Sequence, residues 1–337
     1  IDVVDARAIS EGKLRVNLSE SLGRVPGIVV QNRQNYAQDL QVSSRGFGAR
    51  STFGVRGVRL IADGIPATMP DGQGQAATFA LASAGRIEVL RGPFSSLYGN
   101  ASGGVVQVFT RDGPPDPTLD LFLVSGSYGT RKAGLLAGTQ AGQVNLIGDV
   151  SRFETDGYRD HSRAVRDTAN VKVAMPLAGG KLTLVANAID QPDTQDPLGL
   201  NRAQFEADPR QVDPSAILFD TRKSIRQSQL GAVHEMPLTP ADSVQVRLYG
   251  GTRRVVQFLA QSGDTPLGSG GVVDLDRSYG GVGLRWTRAF LLAGGEASLT
   301  AGFDRDRLDE RRRGFVNDFG SQGALRRDED DSVANTD

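Results

Sequence analysis

Residues 87–111 read IEVLRGPFSSLYGNASGGVVQVFTR, and the fold follows from how such a stretch has to be built. A short strand over 87–90 carries Glu88, is followed by Arg91, and breaks at Gly92-Pro93. Small residues and further glycines then lead into a second strand over 105–109. A chain that bends tightly and lies close against a neighbouring surface needs glycine and no bulk. Ordinary hairpin turns do not require the ordered string LRGP, then LYG, then GGVV.

Upstream of this hairpin the pattern is mixed. Val3-Val4 and Val29-Val30 are short strand candidates, and Leu18, Leu22 and Val25 space apolar groups for a helical turn or two before Pro26-Gly27 stops it. Polar loops are expected over 31–38 and 66–75, strands over 40–47 and 58–65, and a short helix over 76–81. The prolines of GPPDP at 113–117 stiffen the chain and cannot continue a central strand, so they mark a boundary. Residues 1–114 form an α+β domain by this reading, and 115–337 a second one.

Beyond the boundary the rhythm becomes strict alternation. Leu119, Leu121 and Leu123 alternate with Asp120, Phe122 and Val124, while Val244, Val246 and Leu248 alternate with Gln245, Arg247 and Tyr249. About nine strands follow from this period of two, starting near 118, 130, 143, 168, 181, 225, 243, 276 and 296. A soluble sandwich would alternate too, so the connections decide. Those near 140–143, 178–180, 237–241 and 289–295 are short, whereas those over 154–166, 191–223 and 259–275 are long and polar. Long loops on one side and short turns on the other are the habit of a transmembrane β-barrel. Trp286 beside a short turn suits the aromatic girdle of such a barrel, and equally an ordinary sheet position.

Composition narrows the function. The chain has 337 residues, with 38 basic against 39 acidic, so no bulk field favours a nucleic-acid partner. Cysteine is absent and there are 2 histidines, which removes disulfides, thiolate chemistry and a histidine-rich metal centre. No run approaches the ~18 consecutive apolar residues of a membrane helix and the mean hydropathy is -0.27, but a barrel whose apolar residues alternate with polar ones escapes that test. Glycine, at 42 residues, favours turns and close strand approaches. His234-Glu235 lacks the second histidine of a zinc-protease motif, and no nucleophile elbow or phosphate loop occurs, so no enzyme is expected and neither cofactor nor metal is assigned.

The glycine-punctuated string at 87–111 resembles the plug signature of TonB-dependent outer-membrane receptors. NLSESLGRVPGIVV at 17–30, SRGF at 44–47 and LIADGIP at 60–66 carry the same resemblance. Within the family the chain is most similar to the receptor for pyrroloquinoline quinone, through QNRQNYAQDLQ at 31–41, DGIPATMPDGQGQ at 63–75, GYRDHS at 157–162, DPRQ at 208–211, TRKSIRQSQLG at 221–231 and GALRR at 323–327. The resemblance implies an α+β plug domain followed by antiparallel transmembrane β-barrel strands. It implies energy-dependent uptake of a scarce solute across the bacterial outer membrane: pyrroloquinoline quinone first, a ferric siderophore as alternative. A structural barrel or adhesin is the reading from another class. The implied partners are TonB with ExbB-ExbD, the small ligand and outer-membrane lipopolysaccharide, with a monomeric receptor. The TonB box is missing, and about nine strands cannot close a barrel of roughly 22. The expected object is a plug with the first part of its barrel, ending inside a long outer loop.

By the same resemblance, Arg45 and Arg91 sit where plug arginines lock onto carboxylates of the barrel wall, with partners that can lie beyond Asp337; the alternative is a pair inside the plug, with Glu88 as the candidate. The resemblance also sets 31–38 and 68–75 at the extracellular apex. A flat tricarboxylate calls for guanidinium groups, amide donors and an aromatic face. Arg33, Asn35, Tyr36, Gln73 and Gln75 supply these on the plug; Arg253, Arg254 and Gln257 could add to them from a barrel strand, and Arg313 from the arginine run 311–313 of the last loop.

Overall fold

The computed structural model describes every residue except 33–34, 52–53, 93–97, 100 and 337. Arg33 and the middle of the glycine-punctuated hairpin therefore lie outside the described residues.

The first layer is a small α+β unit: β1 (Asp2–Asp5), α1 (Ala6–Ser10), α2 (Ser19–Leu22), β2 (Ile28–Gln31), β3 (Gln41–Ser44), β4 (Val58–Ala62), β5 (Ile65–Pro66), a 3-10 turn (Ala76–Thr78), β6 (Ala84–Arg91) and β7 (Gly104–Thr110). Five of these strands form a sheet in the order β1-β6-β7-β4-β5, with β4 and β7 parallel, while β2 and β3 pair separately. Ile9, Leu18, Leu22, Leu60, Ile87, Val89 and Val106 are buried together as its core. Glu20 fastens the entry to α2 by accepting the backbone N–H groups of Arg15, Val16 and Asn17 at 2.7, 2.7 and 2.8 Å. The GG pair has a steric cause. A Cβ on Gly104, whose φ is 122°, would lie 2.2 Å from the Leu90 carbonyl oxygen, and one on Gly103 would lie 2.7 Å from Cβ of Phe47.

Three expectations for this unit change. The single strand read over 58–65 is a hairpin, because Asp63 and Gly64 both take positive φ and turn the chain. Its turn is tied down by Asp63, whose carboxylate accepts the Thr110 N–H at 2.8 Å and the Thr110 hydroxyl at 2.6 Å. The helix read over 76–81 shortens to the one 3-10 turn, and α1 forms directly after the expected strand at Val3-Val4, where no element was expected, capped by Asp5 onto the Ala8 N–H at 2.8 Å.

The second layer is one antiparallel meander of ten strands, in chain order, that wraps the first: β8 (Thr118–Ser125), β9 (Arg131–Ala141), β10 (Val144–Thr155), β11 (Ala164–Leu177), β12 (Gly180–Gln195), β13 (Arg222–Pro237), β14 (Asp242–Phe258), β15 (Val272–Leu292), β16 (Gly295–Asp318) and β17 (Ser321–Thr336). Side chains alternate between the faces. Leu121, Leu123, Leu230 and Leu248 are exposed on the outer face, whereas Ile147, Phe153, Ile189, Val233 and Tyr249 are buried on the inner one. Trp286 shares the outer face near a short turn, and its indole N–H donates to Asp242 at 3.1 Å. The long connection between β12 and β13 folds into α3 (Arg202–Ala207), closed by an Asn201–Gln204 capping box, and α4 (Pro214–Leu218).

The tenth strand is a correction to the expected nine, and the arginine run moves with it. Residues 311–313 do not lie in a loop but inside β16, which pairs with β17 as far as Arg305 and Thr336. These strands run past the apolar band. There, cross-strand ion pairs such as Arg311–Asp328 at 2.9 Å replace the apolar alternation that identifies the other strands.

Candidate functional site

The two layers meet along a polar seam, and most of its charge comes from the wall. Six inward-facing cations of β9 to β15 reach the inner layer. Lys132 donates to the carbonyl oxygens of Leu14 and Arg15 at 2.9 and 2.8 Å. Arg166 donates to the Val16 carbonyl at 3.0 Å, to Asn17 at 3.2 Å and to its wall neighbour Gln191 at 2.8 Å. Lys172 pairs with Asp112 at 2.8 Å and Lys223 with Asp39 at 3.1 Å. Arg253 holds Gln75 at 3.0 Å and Gln227 at 2.6 Å, and Arg277 holds Gln73 at 3.2 Å, with Asp71 at 3.6 Å and Glu310 beside it. One cationic tie runs the other way: Arg59 of β4 reaches Asp306 at 3.4 Å, and Asp306 also accepts the Tyr249 hydroxyl at 2.7 Å.

The expected apex residues belong largely to this seam. Asn35 and Gln38 both donate to Asp196 at the end of β12, Asn35 at 2.6 Å. The Tyr36 ring packs on Phe153 with centroids 4.9 Å apart, the Arg166 guanidinium lies 5.9 Å from it, and the Tyr36 carbonyl accepts from Gln191 at 2.9 Å. Burial pushes the Tyr36 phenol up. Burial also works to raise the Asp39 carboxyl, but Lys223, Arg253 and Arg166 outweigh it and hold it below the usual carboxylate range. Gln73 and Gln75 are held by Arg277 and Arg253. Gln257 is half-buried and shares the inner-face register with Arg253 and Val255.

Arg254 and Arg313 stand elsewhere. Both pair with Asp274, at 3.2 and 2.9 Å, on the outer face of the wall, so the structure separates them from Arg253 and from the apex. The expected locks also differ. Arg91 pairs with Asp2 at 2.7 Å and donates to the Pro26 carbonyl at 3.0 Å; Glu88 pairs with Arg86 at 2.7 Å. Arg45 is exposed after β3, with its backbone N–H on the Gly27 carbonyl at 3.2 Å. Among the described residues, the cationic plug–wall contacts come instead from Arg59 and from the six wall cations, of which the sequence reading named Arg253 alone, as a ligand contact. Their signal was a charged residue at an inward position of an alternating strand.

Residues 1–105 match the family model described as the TonB-dependent Receptor Plug Domain. The inner layer is thus similar to the plugs of TonB-dependent receptors. Around this plug, the wall has the fold of the receptors' barrels. The ferric citrate transporter FecA in its unliganded form superposes with a TM-score of 0.79 at 20% identity, covering 98% of this chain and 51% of that one. The pyoverdine receptor FpvA from Pseudomonas aeruginosa PAO1 gives 0.70 at 16%, covering 95% and 51%, and the ferric-catecholate import receptor Fiu from E. coli K12 gives 0.68 at 17%, covering 96% and 53%. The chain thus spans about half the length of these receptors. Leucines on the outer face of the wall give it the apolar exterior of such barrels.

Proposed function

We propose that this chain supplies the plug and ten wall strands of a receptor that captures a scarce solute at the outer surface and admits it by energy-coupled displacement of the plug. TonB with ExbB-ExbD is the partner this reading requires, and lipopolysaccharide surrounds a monomeric barrel. The observation that carries it is the seam. Wall cations bond plug carbonyls, amides and carboxylates, beside a small apolar cluster in which Ile65 and Met69 of the plug pack with Val233, Tyr249, Tyr279 and Leu308 of the wall. Buried polar pairs fix position while adding little net stability over apolar packing, which suits a part that must be held and then released. Uptake by cells carrying the receptor tests it: transport that survives loss of the coupling system would make the barrel a passive pore.

The solute proposed is a carboxylate-rich complex, since guanidinium groups cluster below the apex. A ferric siderophore has the support of the likeness to receptors for ferric complexes. Pyrroloquinoline quinone has the support of the residue-level resemblance at 31–41 and 63–75. Parallel calorimetric titrations with ferric citrate and with the quinone separate the two.

A further inference from the structure

A cavity of about 480 Å³ lies between the plug sheet and the inner face of β11 to β15, at the end where the short turns are. It falls in the range of roughly 300–1,000 Å³ usual for small-molecule sites. Its charge is uneven. Six cations line it, and four of them have a carboxylate: Arg86 with Glu88 at 2.7 Å, Arg111 with Asp120 at 3.5 Å, Lys172 with Asp112 at 2.8 Å and Arg247 with Asp304 at 2.8 Å. Lys181 and Arg285 have none within 4.0 Å among the described residues. Glu235 stands opposite Lys181 in the strand register but accepts from Gln245 at 2.8 Å, and Asp63 is engaged by Thr110. Tyr98, Gln107, Thr183 and Gln245 add polar groups to the lining.

We propose that this chamber is a second binding station, on the turn side of the plug, for a solute bearing two or more separated carboxylates. Lys181 on β12 and Arg285 on β15 are three strand spacings apart, roughly 14 Å along a flat sheet and less across a curved one. They would hold the two ends of such an anion, and Arg247 on β14 lies between them. Six cations against the three lining carboxylates Asp63, Asp112 and Glu235 leave the cleft net positive, and a positive cleft concentrates anions. An anion released from the apex would meet this field before leaving the barrel. The inference rests on the cavity's charge and position, so it stands or falls separately from the solute selected at the apex.

The chain has no cysteine, so Thr183→Cys places a single thiol on the chamber wall. Leu267→Cys, at a side chain 101% exposed in the β14–β15 connection, is the outside reference. Each is treated with an anionic sulfonatoethyl and a cationic trimethylammonioethyl methanethiosulfonate. Replacing Lys181 and Arg285 together by Gln should lower the anionic-to-cationic rate ratio at position 183 about tenfold and leave it unchanged at 267. Millimolar citrate should protect position 183 only while both cations are present. An unchanged ratio, protection that persists in the double variant, or a thiol at 183 that neither reagent reaches would overturn the chamber; a ratio that moves equally at 267 would mean a general change in the barrel and would overturn it too.

Discussion

Lys223 on the wall and Asp39 on the plug meet at 3.1 Å with side chains only 9% and 12% exposed. Removing one member of a buried pair leaves the other charge uncompensated, at a cost of about 3–5 kcal/mol. Lys223→Met should therefore lower hydrogen-exchange protection around β3 by an amount near the lower figure, since Arg253 and Arg166 still act on Asp39. Lys223→Met with Asp39→Leu should recover most of it. A double variant as weak as the single one would show that the pair is not what holds this part of the plug.

The same carboxylate sets a pH dependence. Its folded-state value lies below the unfolded one of about 3.9, so its contribution is complete above about pH 4 and is lost as pH falls through the folded value. Protection around β3, taken relative to the intrinsic exchange rate at each pH, should fall in acid, and Asp39→Asn should flatten that change. Identical acid profiles for the two proteins would assign the effect to other groups.

Gly104 and Gly46 both have positive φ, yet they differ in surroundings. A Cβ at 104 would press on the Leu90 carbonyl at 2.2 Å, while nothing lies within 4 Å of one at 46. Gly46→Ala should cost only the left-handed backbone term of about 1–2 kcal/mol. Gly104→Ala should cost clearly more, because β6 and β7 must separate. Thermal unfolding of the two variants checks the order; equal losses would mean that backbone conformation alone explains both.

Arg253 and Arg254 are adjacent in sequence and opposite in role. Arg253 is buried and holds Gln75, whereas Arg254 pairs with Asp274 outside. A charge-assisted hydrogen bond is worth about 1.5–3 kcal/mol, so Arg253→Ala should weaken retention of a ferric complex by roughly tenfold or more. Arg254→Ala should leave it unchanged. Equal effects in a direct binding titration would remove the seam from solute retention.

The wall was legible because a sheet with lipid on one side must alternate, and Leu119 to Leu123 or Val244 to Leu248 do so openly. Legibility stopped at β17, where Arg311 and Asp328 stand at outward positions and a paired strand looks like a polar loop. The plug was legible through Gly103 and Gly104, whose missing side chains record a close approach. The seam was not. Arg253 and Gln75 are separated by 178 positions, and nothing in either neighbourhood names the other. Arg91, given a wall role by resemblance, pairs here with Asp2, 89 positions away in the same sheet, and neither neighbourhood names the other.

Much of the seam ends on backbone oxygens of the plug: those of Leu14, Arg15, Val16, Tyr36, Pro66 and Pro70 accept from Lys132, Arg166, Gln191, Gln229 and Asn335. Every residue type carries that oxygen, so a substitution at these plug positions leaves the acceptor in place. The wall side has no such freedom. Mutational drift should fall unevenly across the boundary: plug positions that offer only a backbone oxygen can exchange side chains, whereas Asp39, Gln73 and Gln75 and the wall donors have to be kept.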